Sequence, residues 1–146
     1  MARDKKLDPP LAGQVLKYPM IDDQTTLAEN SSLSDFLFWT EASNDIGWEA
    51  YTGKSKAERA DADISPYAAP ARVKDVAGLP RTLIDIGNLD LFRDEATKYA
   101  SRLAAANIDT ELHLYSGLAH GYDGIAWNIK KAKAAEDSIA RFVSNI

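Results

Sequence analysis

The 146-residue sequence contains no cysteine. Disulfide bonds, zinc sites with thiolate ligands and a cysteine nucleophile are therefore excluded. No run of 18 apolar residues occurs in it, so no membrane-spanning helix is expected. Basic residues are also in the minority, with 17 Lys and Arg against 22 Asp and Glu and a net charge of −5. This balance argues against a nucleic-acid partner, because nucleic acids are bound by basic surfaces.

The remaining composition is that of an ordinary globular domain, with 45% hydrophobic and 27% charged residues. A chain of 146 residues can bury one hydrophobic core and is too short for two domains of ordinary size. The first ten residues, MARDKKLDPP, are charged and end in two prolines, which is unlike a signal peptide. We therefore expect one soluble, cytoplasmic domain over residues 1–146.

The second half of the sequence alternates strand and helix patterns. A strand is predicted over Arg81–Gly87 and a helix with one apolar face over Phe92–Asn107. A second strand follows over Thr110–Gly117, and residues 129–146 form another amphipathic helix pattern. Strands and helices that alternate with short connections predict a parallel sheet joined by right-handed crossovers.

The first half is less regular. Leu11–Tyr18 is predicted to be a buried strand, and Ser34 is predicted to cap a short helix. A further helical turn is expected to end at Gly53. The charged residues 54–63 indicate a solvated loop, and Ser65–Arg72 indicates an extended segment kinked by proline.

Two loops follow the carboxyl ends of the predicted strands, where parallel sheets place their chemistry. Asp90 lies on the first loop and His120 on the second. In hydrolases of this architecture the chain order is nucleophile, acid, histidine, and these two residues respect that order. The acid would fix the imidazole tautomer and stabilise the imidazolium. Two simpler interpretations stay open, namely Asp90 as a helix N-cap and His120 as a surface side chain bonded to a carbonyl.

Two other carboxyls compete with Asp90 for the acid role. Asp85 lies within a predicted strand, and Asp94 lies within the following helix. Only Asp90 lies on the loop beyond a strand end, so it is the preferred acid.

No metal or cofactor is expected. Seven positions separate His113 from His120, and His113 lies in mid-strand, on the face opposite Leu112 and Leu114. This spacing matches no compact metal motif. The segment from Gly47 to Ser55 has five residues between its glycines, whereas a phosphate loop needs four.

A serine nucleophile is not found. A nucleophile elbow needs G-x-S-x-G, so that helix and strand can approach closely around the serine. The nearest match, TGKSKA, has Ala57 in place of the second glycine, and no strand precedes it. No H-G-G-G oxyanion loop occurs either. The sequence therefore offers candidates for two members of a triad and none for the third.

Several motifs, in the right order, resemble the C-terminal half of the hormone-sensitive-lipase-like carboxylesterases, which have the α/β-hydrolase fold. The segments that carry the resemblance are Ser65–Pro66, Leu79–Pro80, Asp90–Glu95 and His120–Tyr122. The resemblance implies that Asp90 is the triad acid and His120 the base. It covers nearly the whole chain, with Leu91 replacing the proline that usually follows the acid. The expected fold is a partial α/β-hydrolase fold: three parallel strands with flanking helices, without the nucleophile half.

The resemblance also implies a substrate pocket. Residues 22–53 correspond to the region beside the acyl pocket, so Trp39 and Trp48 are candidate pocket residues, together with Tyr122. Plain core aromatics are an equally good interpretation of the two tryptophans.

By the resemblance, the family's serine and oxyanion glycines precede the region that this sequence covers. The expectation is a truncated or split carboxylesterase that is inactive by itself and acts on a small ester when an N-terminal half completes it. The strand Leu11–Tyr18 would then expose its edge and roughly several hundred Å² of apolar surface, which favours self-association. The alternative is a non-catalytic remnant that serves as a binding module.

Overall fold

The structure, a computed structural model, describes all 146 residues and contains a parallel sheet of three strands. The strands lie in the order β1-β2-β3, with bounds β1 Gln14–Lys17, β2 Thr82–Leu89 and β3 Thr110–Ala119. Ile84 of the central strand is paired with Leu16 of β1 and with Leu112 of β3. The predicted parallel arrangement is therefore confirmed, with β1 shorter than expected and with β2 and β3 each ending two residues later than expected.

Five α-helices and two 3₁₀ helices accompany the sheet, and four of these seven helices lie in the first half of the chain. Their bounds are α1 Glu41–Thr52, α2 Lys56–Asp61, α3 Arg93–Ala105, α4 Tyr122–Ile125 and α5 Lys130–Ser144, with short 3₁₀ helices at Ser32–Phe36 and Pro70–Arg72. No helix is long and apolar enough to cross a membrane.

The main core lies between β2 and α3. Ile84 and Ile86 are fully buried and share one cluster with Ala96, Ala100 and Leu103 of the helix. Small alanines let α3 approach the sheet closely, and burial on both faces is typical of a central parallel strand. A smaller cluster on α5 contains Ala132 and Ala135 and continues into the segment after β3. The two helices that the apolar periodicity predicts are thus the ones that cover the sheet.

The predicted solvated loop at residues 54–63 is wrong, because these residues contain helix α2. Ser55 and Glu58 form a reciprocal capping box that starts the helix. Arg59 is fully buried, and its guanidinium donates to the carbonyls of Lys54, at 2.9 Å, and Asp23, at 3.3 Å. The density of charged residues indicates exposure here, whereas the Arg59 guanidinium is buried and bonded to these two carbonyls, of which that of Asp23 is distant in sequence.

Two local boundaries also differ from expectation. Ser34 lies inside the first 3₁₀ helix, and its predecessor Ser31 is the cap. Helix α1 begins after Thr40, whose hydroxyl accepts the N–H of Ser43 at 3.2 Å, and it ends at Gly53 as predicted. The segment Ser65–Arg72 is not extended, because turns and a 3₁₀ helix take up its backbone hydrogen bonds.

Strand β1 is an edge strand that pairs only with β2. Its other side has no strand partner within the chain, and Leu11, just ahead of it, is 50% exposed. The predicted exposed edge is therefore present in the structure, whereas self-association through it stays a prediction.

Candidate active site

Asp90 lies at the carboxyl end of β2, and its side chain is completely buried. One carboxylate oxygen, Oδ1, accepts the backbone N–H of Phe92 at 2.9 Å. The other, Oδ2, lies 3.0 Å from Nδ1 of His120. Asp90 thus stabilises the turn that leads into α3 and holds the histidine with its second oxygen. It is not the N-cap residue of α3, because Phe92 occupies that position.

His120 lies directly after β3, and its side chain is 21% exposed. With a proton on Nδ1 donated to Asp90, the other ring nitrogen, Nε2, carries a free lone pair. No serine hydroxyl of this chain hydrogen-bonds to the imidazole, whose one hydrogen bond is to Asp90. In this tautomer the ring can take a proton from a group outside the chain's own hydrogen bonds.

An irregularity between β2 and β3 brings the two residues together. Gly87 pairs with Tyr115, but Leu89 pairs with Ala119, so β3 contains two extra residues across this interval. A Cβ atom on Gly87 would overlap the carbonyl of Leu118. Only glycine allows β3 to approach β2 so closely here. The bulge brings His120, which follows Ala119, opposite Asp90, which follows Leu89.

Aromatic rings surround the imidazole on several sides. The ring centroids of Tyr18, Phe92 and Trp39 lie 4.7, 5.3 and 6.2 Å from that of His120. Trp39, which was predicted to line the pocket, is thus close to the candidate base. Tyr18 and Phe92 were not predicted, although each follows closely on the carboxyl end of a strand next to the site.

The structure does not bring the other two pocket candidates to the imidazole surface. Trp48 is buried in a separate cluster with Ile64 and Ala69. Tyr122 is 1% exposed and turns its hydroxyl towards Asp85 of the central strand. Trp48 is thus a core aromatic, which is the alternative interpretation given above for the two tryptophans, and Tyr122 is buried as well.

The competing carboxyls lie elsewhere. Asp85 is buried on the face of β2 opposite Ile84 and Ile86, where it accepts the Tyr122 hydroxyl. Burial raises its pKa, an effect that the hydrogen bond from Tyr122 partly offsets. Asp94 is exposed and pairs with Arg93 at 2.7 Å. Neither is hydrogen-bonded to His120.

The second histidine has its own partners. His113 Nδ1 lies 3.2 Å from the Tyr115 hydroxyl, and Nε2 lies 3.4 Å from the Glu111 carboxylate. These contacts hold His113 on β3, and it shares no partner with His120.

Comparisons with known proteins agree with this geometry. A family model described as the alpha/beta hydrolase fold matches residues 1–124. Esterase LipI of Mycobacterium tuberculosis is 32% identical over 138 residues, covering 87% of this chain and 38% of LipI. A solved bacterial heroin esterase is 31% identical with a TM-score of 0.79, covering 95% of this chain and 44% of that one. A hormone-sensitive lipase from a metagenome library has the same fold, with a TM-score of 0.79 at 23% identity, covering 97% of this chain and 47% of that one.

The chain therefore belongs to the α/β-hydrolase fold family. The relatives that it resembles include esterases, and the solved hormone-sensitive lipase has the same fold, in line with the resemblance that the motifs carry. The chain spans about two fifths of the length of the relatives that it matches. Its three strands and their helices are accordingly part of the full fold.

Proposed function

We propose that this chain supplies the acid and the base of a carboxylesterase active site, Asp90 and His120. The observation that carries the proposal is the 3.0 Å contact between Asp90 Oδ2 and His120 Nδ1 at the carboxyl ends of adjacent parallel strands. A buried carboxylate at this nitrogen fixes the imidazole tautomer and orientation. Membership of an esterase-containing family makes carboxylic ester hydrolysis the corresponding reaction.

The proposed chemistry needs a serine nucleophile, and no serine of this sequence lies in a G-x-S-x-G elbow. Nε2 of His120 takes the proton of that serine hydroxyl while the oxygen attacks the ester carbonyl carbon. As the tetrahedral intermediate collapses, the same proton passes from His120 to the departing alcohol, which leaves an acyl-enzyme. Water then attacks the acyl carbon, gives its proton to Nε2, and the carboxylic acid is released when the serine is reprotonated. Asp90 remains ionised throughout and stabilises each imidazolium.

The serine and the oxyanion donors are proposed to come from an N-terminal half that lies outside this sequence. The unpaired side of β1 is the natural place for that half, because a parallel sheet grows by adding a strand to a free edge. Leu11, half exposed ahead of β1, would be covered by such an addition.

The ester's acyl group is proposed to lie against the aromatic rings beside His120. Trp39 belongs to the segment 22–53 that we assign to the pocket surroundings, and its ring centroid lies 6.2 Å from the imidazole centroid. Phe92 and Tyr18 complete this apolar surface. A small ester is thus the proposed substrate class.

A non-catalytic binding module is the second candidate, and the same free edge of β1 favours it. A chain that never joins an N-terminal half could still add a strand from another protein at this edge. The two candidates differ in whether His120 has any chemical role.

A chimera tests the proposal directly. The 146 residues replace the matching region of the bacterial heroin esterase, and hydrolysis of p-nitrophenyl butyrate is measured. We expect activity in the chimera and its loss in His120→Ala, while His113→Ala, which changes the other histidine, keeps it. Full activity of the His120→Ala chimera would contradict the assignment of the base.

The isolated chain provides the complementary test. We expect it neither to hydrolyse p-nitrophenyl butyrate nor to react with a fluorophosphonate probe. Labelling that disappears when one of the chain's own serines is replaced would show that the nucleophile lies within these 146 residues.

A further inference from the structure

A buried carboxyl on the central strand takes no part in the proposed chemistry. Asp85 occupies the middle of β2 and is completely buried. Its Oδ1 accepts the hydroxyl of Tyr122, whereas its Oδ2 has no hydrogen-bond partner. Burying a carboxyl costs free energy that a valine or isoleucine at a central-strand position would not cost. Asp85 is therefore costly at this position, and its one hydrogen-bond partner indicates what the residue does.

That partner lies in the segment that carries the candidate base. Tyr122 begins α4, two residues after His120. The intervening Gly121 has a left-handed φ of 68°, and α4 has only four residues and no side-chain cap. Because so short a helix has little stability of its own, side-chain contacts must hold the segment in place.

A second contact holds the same segment from the side of β1. Asp123 accepts a hydrogen bond from Lys17 at 2.8 Å and one from the Tyr18 hydroxyl at 3.1 Å. The Tyr18 ring lies edge-on to His120, with 4.7 Å between the centroids. The histidine loop is thus fixed by β2 through Asp85 and by β1 through Lys17 and Tyr18.

The charges around Asp85 do not provide an alternative partner. Lys17 and His113 act on it only through space and favour its ionised form, while Glu136 opposes ionisation. Lys17 itself is committed to Asp123 and Glu136. The hydroxyl of Tyr122 is therefore the only group that hydrogen-bonds to the Asp85 side chain.

We propose that Asp85 and Tyr122 are positioning residues for His120: their hydrogen bond fixes α4, and α4 holds the imidazole against Asp90. This inference rests on the proposed function, in which the His120–Asp90 hydrogen bond is the working contact. The pair acts through the loop and touches no substrate.

The test measures the imidazole tautomer by NMR of the full chain with isotope-labelled histidine, at a pH where the ring is neutral. His113, the only other histidine in the sequence, is the internal reference. Tyr122→Phe removes only the hydroxyl, and Asp85→Leu replaces the carboxyl with an apolar side chain. We expect both to lower the ratio of Nδ1–H to Nε2–H tautomer at His120 by about fivefold, which is the size of one lost hydrogen bond.

Two variants show whether the effect belongs to this hydrogen bond. Asp85→Asn keeps an amide oxygen that can accept the tyrosine hydroxyl, so the wild-type tautomer ratio is expected there. Tyr51→Phe removes the hydroxyl of an exposed tyrosine on α1 whose aromatic neighbour is Trp48, and it should leave both histidines unchanged. Should Tyr122→Phe or Asp85→Leu fail to fold, the double variant, which leaves no unpaired polar group, carries the measurement.

The outcomes separate the two proposals. Asp90→Asn must change the His120 tautomer ratio if the acid–base pair exists, and no change there would overturn the proposed function. If Asp90→Asn changes the ratio but Tyr122→Phe and Asp85→Leu lower only the melting temperature, the positioning role is wrong and the pair serves stability alone.

Discussion

The carboxylate of Asp90 and the imidazole of His120 are 30 residues apart in the sequence, yet they lie 3.0 Å apart at the ends of neighbouring strands. The contact is made on the buried side of the site, because Asp90 is fully buried while the histidine ring is partly exposed. One nitrogen of the ring is therefore held by protein and the other is available to a reacting group.

The first prediction concerns this contact. In the active chimera, Asp90→Asn should lower kcat for p-nitrophenyl butyrate by about 10⁴-fold, because an amide at this position favours the wrong imidazole tautomer. KM should change little, since Asp90 is fully buried and out of reach of a substrate. Asp94→Asn is the matched control, because Asp94 is exposed and pairs only with its neighbour Arg93. A similar loss in both variants would contradict the assignment of the acid.

The second prediction concerns the bulge that brings the two residues together. Gly87→Ala should destabilise the chain by about 1–3 kcal/mol, because the added methyl group would overlap the Leu118 carbonyl. Unfolding in urea measures the loss. Gly124→Ala adds the same methyl group in α4, where nothing lies within 4 Å of it, and should be neutral or slightly stabilising. Equal stability of the two variants would show that β3 can shift without cost.

The third prediction is a pH dependence of stability. Glu95 holds the chain after β1: it accepts the N–H groups of Ile21 at 2.6 Å and Asp22 at 3.2 Å, and the hydroxyl of Thr25. Burial nevertheless raises the pKa of Glu95 from 4.5 to about 7, against the effect of these hydrogen bonds. The folded chain therefore binds a proton more tightly than the unfolded chain does.

It follows that the stabilising contribution is complete below pH 4.5 and is lost as the pH rises towards 7. Across this range the loss amounts to about 3 kcal/mol. In Glu95→Gln the urea midpoint should depend less on pH over the same range. Glu49→Gln, at an exposed position of α1, should keep the wild-type dependence. An unchanged slope in Glu95→Gln would mean that Glu95 titrates in the folded chain as it does in the unfolded chain.

The sequence predicts the sheet and the acid–base pair because both depend on local patterns. Apolar periodicity identifies α3 and α5, and the order of strand ends places Asp90 and His120 on adjacent loops. The bulge at Gly87 could not be predicted, since it depends on how closely two strands approach each other. The same holds for the Asp85–Tyr122 pair, which becomes visible only once α4 packs on the sheet.

Helix α2 was not predicted either, because the burial of Arg59 depends on a contact with Asp23, which is distant in sequence. The fourth prediction concerns this arginine. Arg59→Ala should cost about 3–5 kcal/mol, because the buried guanidinium bonds the carbonyls of Asp23 and Lys54 and lies 3.3 Å from the Asp45 carboxylate. Lys56→Ala is the matched control, because Lys56 also pairs with Asp45, at 3.6 Å, but at the surface. That exposed pair should contribute at most about 1 kcal/mol. Urea unfolding of the two variants checks the difference, and similar costs for both would show that Arg59 is not a buried link between α2 and the loop before it.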